Sequence, residues 1–186
     1  MKDVSASVLA INAGSSSIRF ALYEPAERPR RLLDGKMDRI GLKGTHLIVN
    51  DSGTGPQAPL PVVAANHGTA VRLLLDWLEA RSVFSSLEAV GHRLVHGMQH
   101  SEPERITPRL LGELRRMTPY APEHLPREIG LIEAFLPRRP KLPQVACFDT
   151  AFHRTMPSVA KRLPIPRRYG ARGMSGTAST GSPMRT

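Results

Sequence analysis

The chain opens with a strand, a polar turn and a second strand, and this pattern constrains the fold more than any other. An apolar run at residues 8–11 ends in Asn12-Ala13-Gly14-Ser15-Ser16-Ser17, and a partly alternating run resumes at residues 18–23. Alternation with a period of two is typical of strands, and Gly and Ser are typical of turns. We therefore predict a β-hairpin with a long polar tip at the start of a sheet-based domain.

Strand and helix patterns alternate along the rest of the chain. We predict strands at residues 32–40, 46–50, 87–96 and 144–148, a surface loop at 51–61, and helices at 67–80, 108–117 and 125–136. Thr107 and Pro108 are a typical N-cap and first-turn proline, and Pro137 ends the last helix. This order predicts an α/β domain with a mixed sheet and helices on its faces.

The positive charge is concentrated in the last quarter of the chain. Residues 1–137 hold 16 basic and 15 acidic side chains, whereas residues 138–186 hold 10 basic side chains and one acid, Asp149. Such an asymmetry is typical of a nucleic-acid arm or a membrane-surface patch, and equally of a surface that packs against acids elsewhere. The basic quarter has no recognition motif and no interleaved aromatics, so we expect no nucleic-acid partner.

Cysteine content and hydropathy indicate the cellular setting. One Cys in 186 residues cannot form an internal disulfide or a multi-Cys metal site. No run of about 18 apolar residues is present, and Asp3 lies where a signal peptide carries only positive charge. We therefore expect a soluble, cytoplasmic protein that does not bind a membrane. We expect Cys147, in a predicted buried strand, to point into the core.

The polar turn at residues 12–17 is the first candidate site. Gly14 permits backbone conformations closed to other residues, and successive N–H groups and hydroxyls can face phosphate oxygens or a metal-bound water. The turn is not a Walker loop, because no Gly-Lys-Ser/Thr follows and the next element is a strand. A solvated turn without a ligand is the alternative.

Arg93 is the second candidate. Arg93 and Val95 lie on one face of their predicted strand, and His92 and His96 lie on the other. A guanidinium near the end of a buried strand suits a carboxylate or phosphate, which it grips with two hydrogen bonds. A salt bridge inside the domain is the alternative. Two His four residues apart on a strand do not converge on a metal, so we expect packing roles for both.

His124 and Asp149 complete the candidates. His124 lies between two prolines just before a helix, where a neutral imidazole can donate a hydrogen bond to a phosphoryl oxygen. Asp149 follows a predicted buried strand, a common place for an active group in an α/β sheet. Helix capping is the alternative for both residues.

In order and approximate spacing, residues 12–20, 91–97, 121–126 and 145–157 together resemble the acetate kinase (acetate and propionate kinase) family. The phrase Phe-Asp-Thr-Ala-Phe-His, residues 148–153, is the most specific part. The resemblance implies the actin-like, sugar-kinase-like ATPase fold, with a ribonuclease H-like mixed sheet in each of two domains. Residues 1–150 would be the N-terminal domain, and residues 151–172 would begin the second.

The resemblance also implies roles on the nucleotide side of the site. Asn12 would be a magnesium-site residue, and Arg19 a nucleotide-side cation. Ser15 and Ser17 would supply phosphate-side hydroxyls. The implied cofactors are Mg²⁺ and ATP.

On the substrate side, the resemblance implies Arg93 and Val95 as substrate-binding residues and Asp149 as the catalytic acid/base. His124 would donate a hydrogen bond to the transferring phosphoryl group. The implied reaction moves a phosphoryl group reversibly from ATP to acetate or another short-chain carboxylate, giving an acyl phosphate and ADP. Glu123 stands where an apolar residue is common, which leaves the preferred acid open.

The end of the chain departs from the family pattern. Residues 173–186 have no apolar periodicity, and their codons, read in another frame, permit the continuation that the family has. We therefore expect a frameshift near residue 172, an out-of-frame tail at 173–186, and a truncated chain with little activity and without the family's homodimer. A non-catalytic ligand- or partner-binding fragment is the alternative.

Overall fold

The computed structural model describes residues 6–81, 84–97, 100 and 102–150. Within these ranges the strands are β1 (Ser7–Ala13), β2 (Ile18–Glu24), β3 (Arg30–Asp38), β4 (His46–Asp51), β5 (Gly55–Pro56), β6 (Leu60–Pro61), β7 (Leu87–Leu94), β8 (Glu104–Arg105) and β9 (Gln144–Phe148). The helices are α1 (His67–Glu79), α2 (Pro108–Met117) and α3 (Leu125–Phe135). The predicted α/β class is confirmed.

One mixed sheet contains all nine of these strands. Its order is β5-β4-β3-β2-β1-β7-β9-β8, with β6 also paired to β4. The first four strands form an antiparallel meander, whereas β1, β7 and β9 run parallel to one another. Parallel neighbours end at the same edge of a sheet, so residues that follow β1, β7 and β9 lie close together.

Local capping places the helices where the sequence predicts them. The side chain of Asn66 accepts a hydrogen bond from the Thr69 amide at the start of α1. The Thr107 hydroxyl accepts one from the Leu110 amide at the start of α2. Each cap satisfies an amide that the first helical turn leaves without a partner.

The described helices pack on one face of the sheet. The strand registers place Leu9, Val90 and Gln144 on this face, and all three are buried. A large apolar cluster joins α1 to the meander, and a second cluster joins α2 and α3 to the ends of β7 and β9. Alternate residues such as Ala10, Arg93 and Cys147 lie on the opposite face, which borders a concave surface.

Several sequence predictions are corrected by the structure. The loop at 51–61 contains the short strands β5 and β6, which pair with β4. Strand β7 ends at Leu94 rather than at His96. The two-residue strand β8 was not predicted, because a segment that short carries no readable alternation. The predicted second-domain start at 151–172 and the predicted tail at 173–186 lie outside the described residues.

Candidate active site

The candidate residues on β1, β7 and β9 are at the common carboxyl edge of these strands. Asn12 is next to the last residue of β1, Arg93 is next to the last residue of β7, and Asp149 directly follows β9. The register pairs Arg93 with Cys147, two residues before Asp149. The parallel topology therefore brings together polar groups that are far apart in the sequence.

Arg93 grips the Asp149 carboxylate at two points. The distance from Arg93 Nε to Asp149 Oδ1 is 2.8 Å, and that from Nη2 to Oδ2 is 2.5 Å. The two side chains are 43% and 27% exposed, so the pair lies at an open edge and not inside the domain. The hydrogen bond to Asp149 holds the pKa of Arg93 above its ordinary value. Arg93 thus forms an ion pair, but at the edge of the concave surface and not inside the domain, and its predicted role in binding substrate stays a prediction.

A concave surface of about 460 Å³ lies on the sheet face that the described helices leave open. Asn12, Arg19 and Arg93 line it together. Small residues occupy the central strands at its base, namely Ala10, Ala21 and Gly91, so little side-chain volume fills it. A concave surface with arginines along it and small side chains at its base suits an anionic ligand that lies across several strands.

Three polar lining residues of this surface were missed by sequence reasoning. Asp34, Lys36 and Asn50 project from β3 and β4, and the Asn50 amide donates to Asp34 Oδ2 at 2.9 Å. Alternation of polar residues along β3 is the signal that could have identified them.

The turn after β1 is closed by its own backbone. The Gly14 amide donates to the Ser17 carbonyl oxygen at 2.8 Å, and the Ile40 amide donates to that of Ser16 at 2.9 Å. Gly14 does not use a positive φ. A Cβ there would instead lie 3.3 Å from the Ser17 carbonyl oxygen, so close packing favours glycine.

A histidine that the sequence did not single out holds the same turn. His67 Nε2, at the start of α1, lies 2.9 Å from the Ser15 carbonyl oxygen and donates to it. Burial lowers the pKa of His67, which favours the neutral ring that makes this bond. Neither Ser15 nor Ser17 lines the concave surface as described, so their predicted phosphate contacts stay predictions.

His124 is the N-cap residue of α3, as the flanking prolines predict. Its side chain makes no capping hydrogen bond, which weakens the alternative of a purely capping role. The imidazole lies at the positive end of the helix dipole. His124 is not part of the concave surface, so the described geometry does not bring it to Arg19 and Asn12.

Two buried-strand predictions have opposite outcomes. The packing role of His92 is confirmed, because its Nε2 donates to Gln144 Oε1 at 2.7 Å and its ring packs edge-on against Phe135. Burial lowers the pKa of His92 to about 4. The prediction for Cys147 was wrong: the residue is exposed and lines the concave surface, because its place in the register puts it on the open face.

Val95 and Glu128 meet behind the Arg93–Asp149 pair. Val95 lies just beyond β7, is buried, and its amide donates to Glu128 Oε1 at 3.1 Å. Sequence reasoning missed Glu128, although its spacing from Leu125 and Ile132 puts it on the inward face of α3. An acid in the apolar stripe of a helix is the signal that could have found it.

Asn12 is the residue that best fits the implied magnesium ion. Its Oδ1 is buried and has no hydrogen-bond partner among the described residues. The described part of the chain contains no group of three or more His, Cys, Asp or Glu side chains that could enclose a metal. One amide oxygen suits Mg²⁺, which keeps several waters and takes further ligands from substrate phosphates.

The sequence model of the Acetokinase family matches residues 7–178. The chain belongs to this family. An acetate kinase of Rhodopseudomonas palustris is 37% identical over 94% of this chain and 46% of the relative. An acetate kinase of Deinococcus radiodurans is 41% identical over 90% of this chain and 44% of the relative. The chain thus spans under half the length of these acetokinase relatives.

Solved structures of the family share the fold. The crystal structure of Porphyromonas gingivalis acetate kinase matches with a TM-score of 0.79 at 30% identity, covering 93% of this chain and 45% of that one. A propionate kinase from Francisella tularensis matches with a TM-score of 0.78 at 29% identity, over 93% and 44%. Within its described ranges, this acetokinase chain has no helix that could cross a bilayer.

Proposed function

We propose that this acetokinase-family chain supplies the carboxylate side of a site that transfers a phosphoryl group between ATP and a short-chain carboxylate such as acetate. A carboxylate oxygen attacks the γ-phosphorus, the new oxygen–phosphorus bond forms, and the bond to the bridging oxygen of ADP breaks. The products are an acyl phosphate and ADP. The matched kinases act on acetate and propionate by name, and Glu123 near His124 leaves the choice of acid to experiment.

The two-point grip of Arg93 on a carboxylate carries the proposal. Arg93 already holds the Asp149 carboxylate in a bidentate geometry at the open edge of the sheet. A substrate carboxylate has the same shape and charge, so it can compete with Asp149 for the guanidinium. Arg93 would then bind the substrate beside the predicted pocket residue Val95.

Electrostatics and positioning account for the rest of the chemistry. A carboxylate is already ionised at neutral pH, so no strong base is needed, and the main obstacle is repulsion between two anions. Arg93 and Arg19 would offset that repulsion, and His124 would donate a hydrogen bond to the transferring group. Asn12 would hold Mg²⁺, which neutralises charge on the nucleotide phosphates when bound. Asp149 would act as acid/base only after Arg93 turns from it to the substrate.

Acetate binding to the 186-residue chain tests this proposal directly. We expect acetate to shift the side-chain Nε–H resonance of Arg93 in NMR spectra. In Arg93→Ala, acetate should no longer shift the backbone amides next to position 93, whereas the Arg93 Nε–H shift should persist in Arg116→Ala, which removes an exposed arginine of α2. Acetate that perturbs neither Arg93 nor its neighbours would contradict the proposal.

A second candidate is a ligand- or partner-binding fragment without turnover. The open face of the sheet, with Arg19 and Arg93 on it, favours this alternative. Co-expression with the unmatched remainder of the Deinococcus radiodurans kinase separates the two candidates. Recovered acyl phosphate formation supports the catalytic role, and stable association without turnover supports the binding role.

A further inference from the structure

Helix α3 buries an acidic side chain directly behind the carboxylate-binding edge. Glu128 is 1% exposed. Its Oε1 accepts a hydrogen bond from the Val95 amide at 3.1 Å, and its Oε2 is buried with no hydrogen-bond partner among the described residues. A buried carboxyl with one unmatched oxygen is costly as an anion, so it needs a reason to be there.

None of the charged groups near Glu128 forms an ion pair with it, although Arg127 Nη1 is buried without a hydrogen-bond partner among the described residues. Arg93 from β7 pairs with Asp149 after β9. On α3 itself, Arg127 approaches Glu123, and His124 is one turn before Glu128. His67 of α1 lies within the electrostatic reach of Arg127 and donates to the turn after β1. No ion pair of the described residues therefore includes Glu128, although Arg93 and Asp149 both act on it through space.

We propose that Glu128 is a positioning residue for the carboxylate-binding end of β7: its buried carboxyl holds the Val95 amide and so fixes the backbone next to Arg93. The hydrogen bond sets where the chain goes after Leu94, one residue beyond Arg93. A neutral carboxyl makes this bond without adding a second anion beside Asp149. Glu128 acts through Val95 and Arg93 and does not touch the reacting atoms.

Charge is the second half of the inference. Burial, with a smaller contribution from the Asp149 carboxylate, raises the pKa of Glu128 to about 7 against the opposing effects of the Val95 amide and Arg93. Above that pH the anionic Glu128 joins Asp149 near Arg93, and the attraction of Arg93 for an incoming anion falls. This part rests on the proposed role of Arg93 in binding carboxylate.

The first experiment needs no ligand. NMR spectra of the whole chain are recorded from about pH 6 to about pH 8.5. They follow three resonances, namely the Arg93 Nε–H, the Val95 amide and the Glu128 carboxyl. All three should titrate together in the wild type, and the first two should become flat in Glu128→Gln, which keeps the acceptor oxygen. Glu133→Gln, an exposed acid of the same helix, should behave as the wild type. Independent titration, or titration that persists in Glu128→Gln, overturns the proposal.

The second experiment adds acetate, which stays anionic over this pH range. The dissociation constant in the wild type should rise about fivefold from the low to the high end, the order expected for one like charge several ångströms away. In Glu128→Gln it should stay near the low-pH value. An equal rise in both proteins overturns the inference. If acetate fails to bind while the three resonances still titrate together, the proposed function fails and the positioning role stands.

Discussion

Arg93 and Asp149 are 56 positions apart in the sequence, yet they form a two-point ion pair with distances of 2.8 and 2.5 Å. The pair exists because β7 and β9 are parallel neighbours that end at one edge of the sheet. The Asp149 carboxylate occupies the guanidinium donors that a substrate carboxylate would need. The chain therefore has an internal competitor for its proposed substrate, which makes the site testable without turnover.

Removing that competitor should strengthen carboxylate binding. In Asp149→Asn, the amide no longer attracts Arg93 as an ion, so acetate should bind about two- to fivefold more tightly, as suits an exposed pair that contributes under about 1 kcal/mol. Calorimetric titration of the 186-residue chain measures this. Asp76→Asn on α1, which removes the ion pair between Asp76 and Arg138, is the matched control and should leave acetate affinity unchanged. Weaker binding in Asp149→Asn would mean that Asp149 helps to bind acetate.

The stability of the chain should depend on pH through Glu128. Its pKa is raised from 4.5 to about 7 by burial, so the folded state binds the proton more tightly than the unfolded state. Its contribution to stability is present below pH 4.5 and is lost as the pH rises through about 7. As the pH rises from 4.5 to about 7, the free energy of unfolding of Glu128→Gln should therefore increase by up to about 3 kcal/mol relative to that of the wild type.

Urea unfolding at the two ends of this range measures the Glu128 effect. Glu133→Gln controls for the loss of an acid from α3 at an exposed position. If the difference in free energy of unfolding between wild type and Glu128→Gln is the same at both ends of the range, folding does not raise the pKa of the Glu128 carboxyl.

Close packing around Gly35 should make a single methyl group costly. A Cβ at Gly35 would lie 2.4 Å from Phe20 Cζ and 2.7 Å from the backbone oxygen of Ile48. Gly35→Ala should destabilise the chain by about 1–3 kcal/mol, because the backbone oxygen cannot move aside. Gly130→Ala, on α3 with no atom near the new Cβ, should instead stabilise it by about 0.5–1 kcal/mol. Thermal unfolding of both variants checks the opposite signs.

Turnover by the isolated 186-residue chain should be small. When catalytic groups act as a unit, removing some of them lowers the rate far more than in proportion to their number. This chain spans under half the length of its relatives. Hydroxylamine trapping of acyl phosphate, with ATP, Mg²⁺ and acetate, measures the rate against the Deinococcus radiodurans kinase. A rate equal to that of the relative would overturn this expectation and show that the chain suffices.

Much of the secondary structure was predictable because its causes are local. The hairpin at the start of the chain, the capped helices α1 and α2, and the strand that leads to Asp149 each follow from residues within a few positions. The errors are at positions where the cause is not local. Strands β5 and β6 exist because they pair with β4, and β7 ends early because the chain turns after Leu94 towards the Glu128 carboxyl.

The candidate site divides in the same way. Its residue types could be read from the sequence, since Asn12, Arg93, His124 and Asp149 lie beside strand ends or helix starts. Their neighbours could not be read. The register decided that Cys147 faces the open side of the sheet, and helix packing decided that Glu128 is buried.

The sequence by itself determined the helices and the longer strands, the family resemblance and the chemical groups available to a phosphoryl-transfer site, because periodicity, capping and motifs are properties of short segments. Tertiary structure alone decided that Arg93 meets Asp149, that His67 holds the Ser15 turn, and that Glu128 supports Val95. These relationships depend on which strands become neighbours and on which face the helices cover. Burial and charge at a position are set by groups far away in the chain, and only the folded arrangement brings those groups within range.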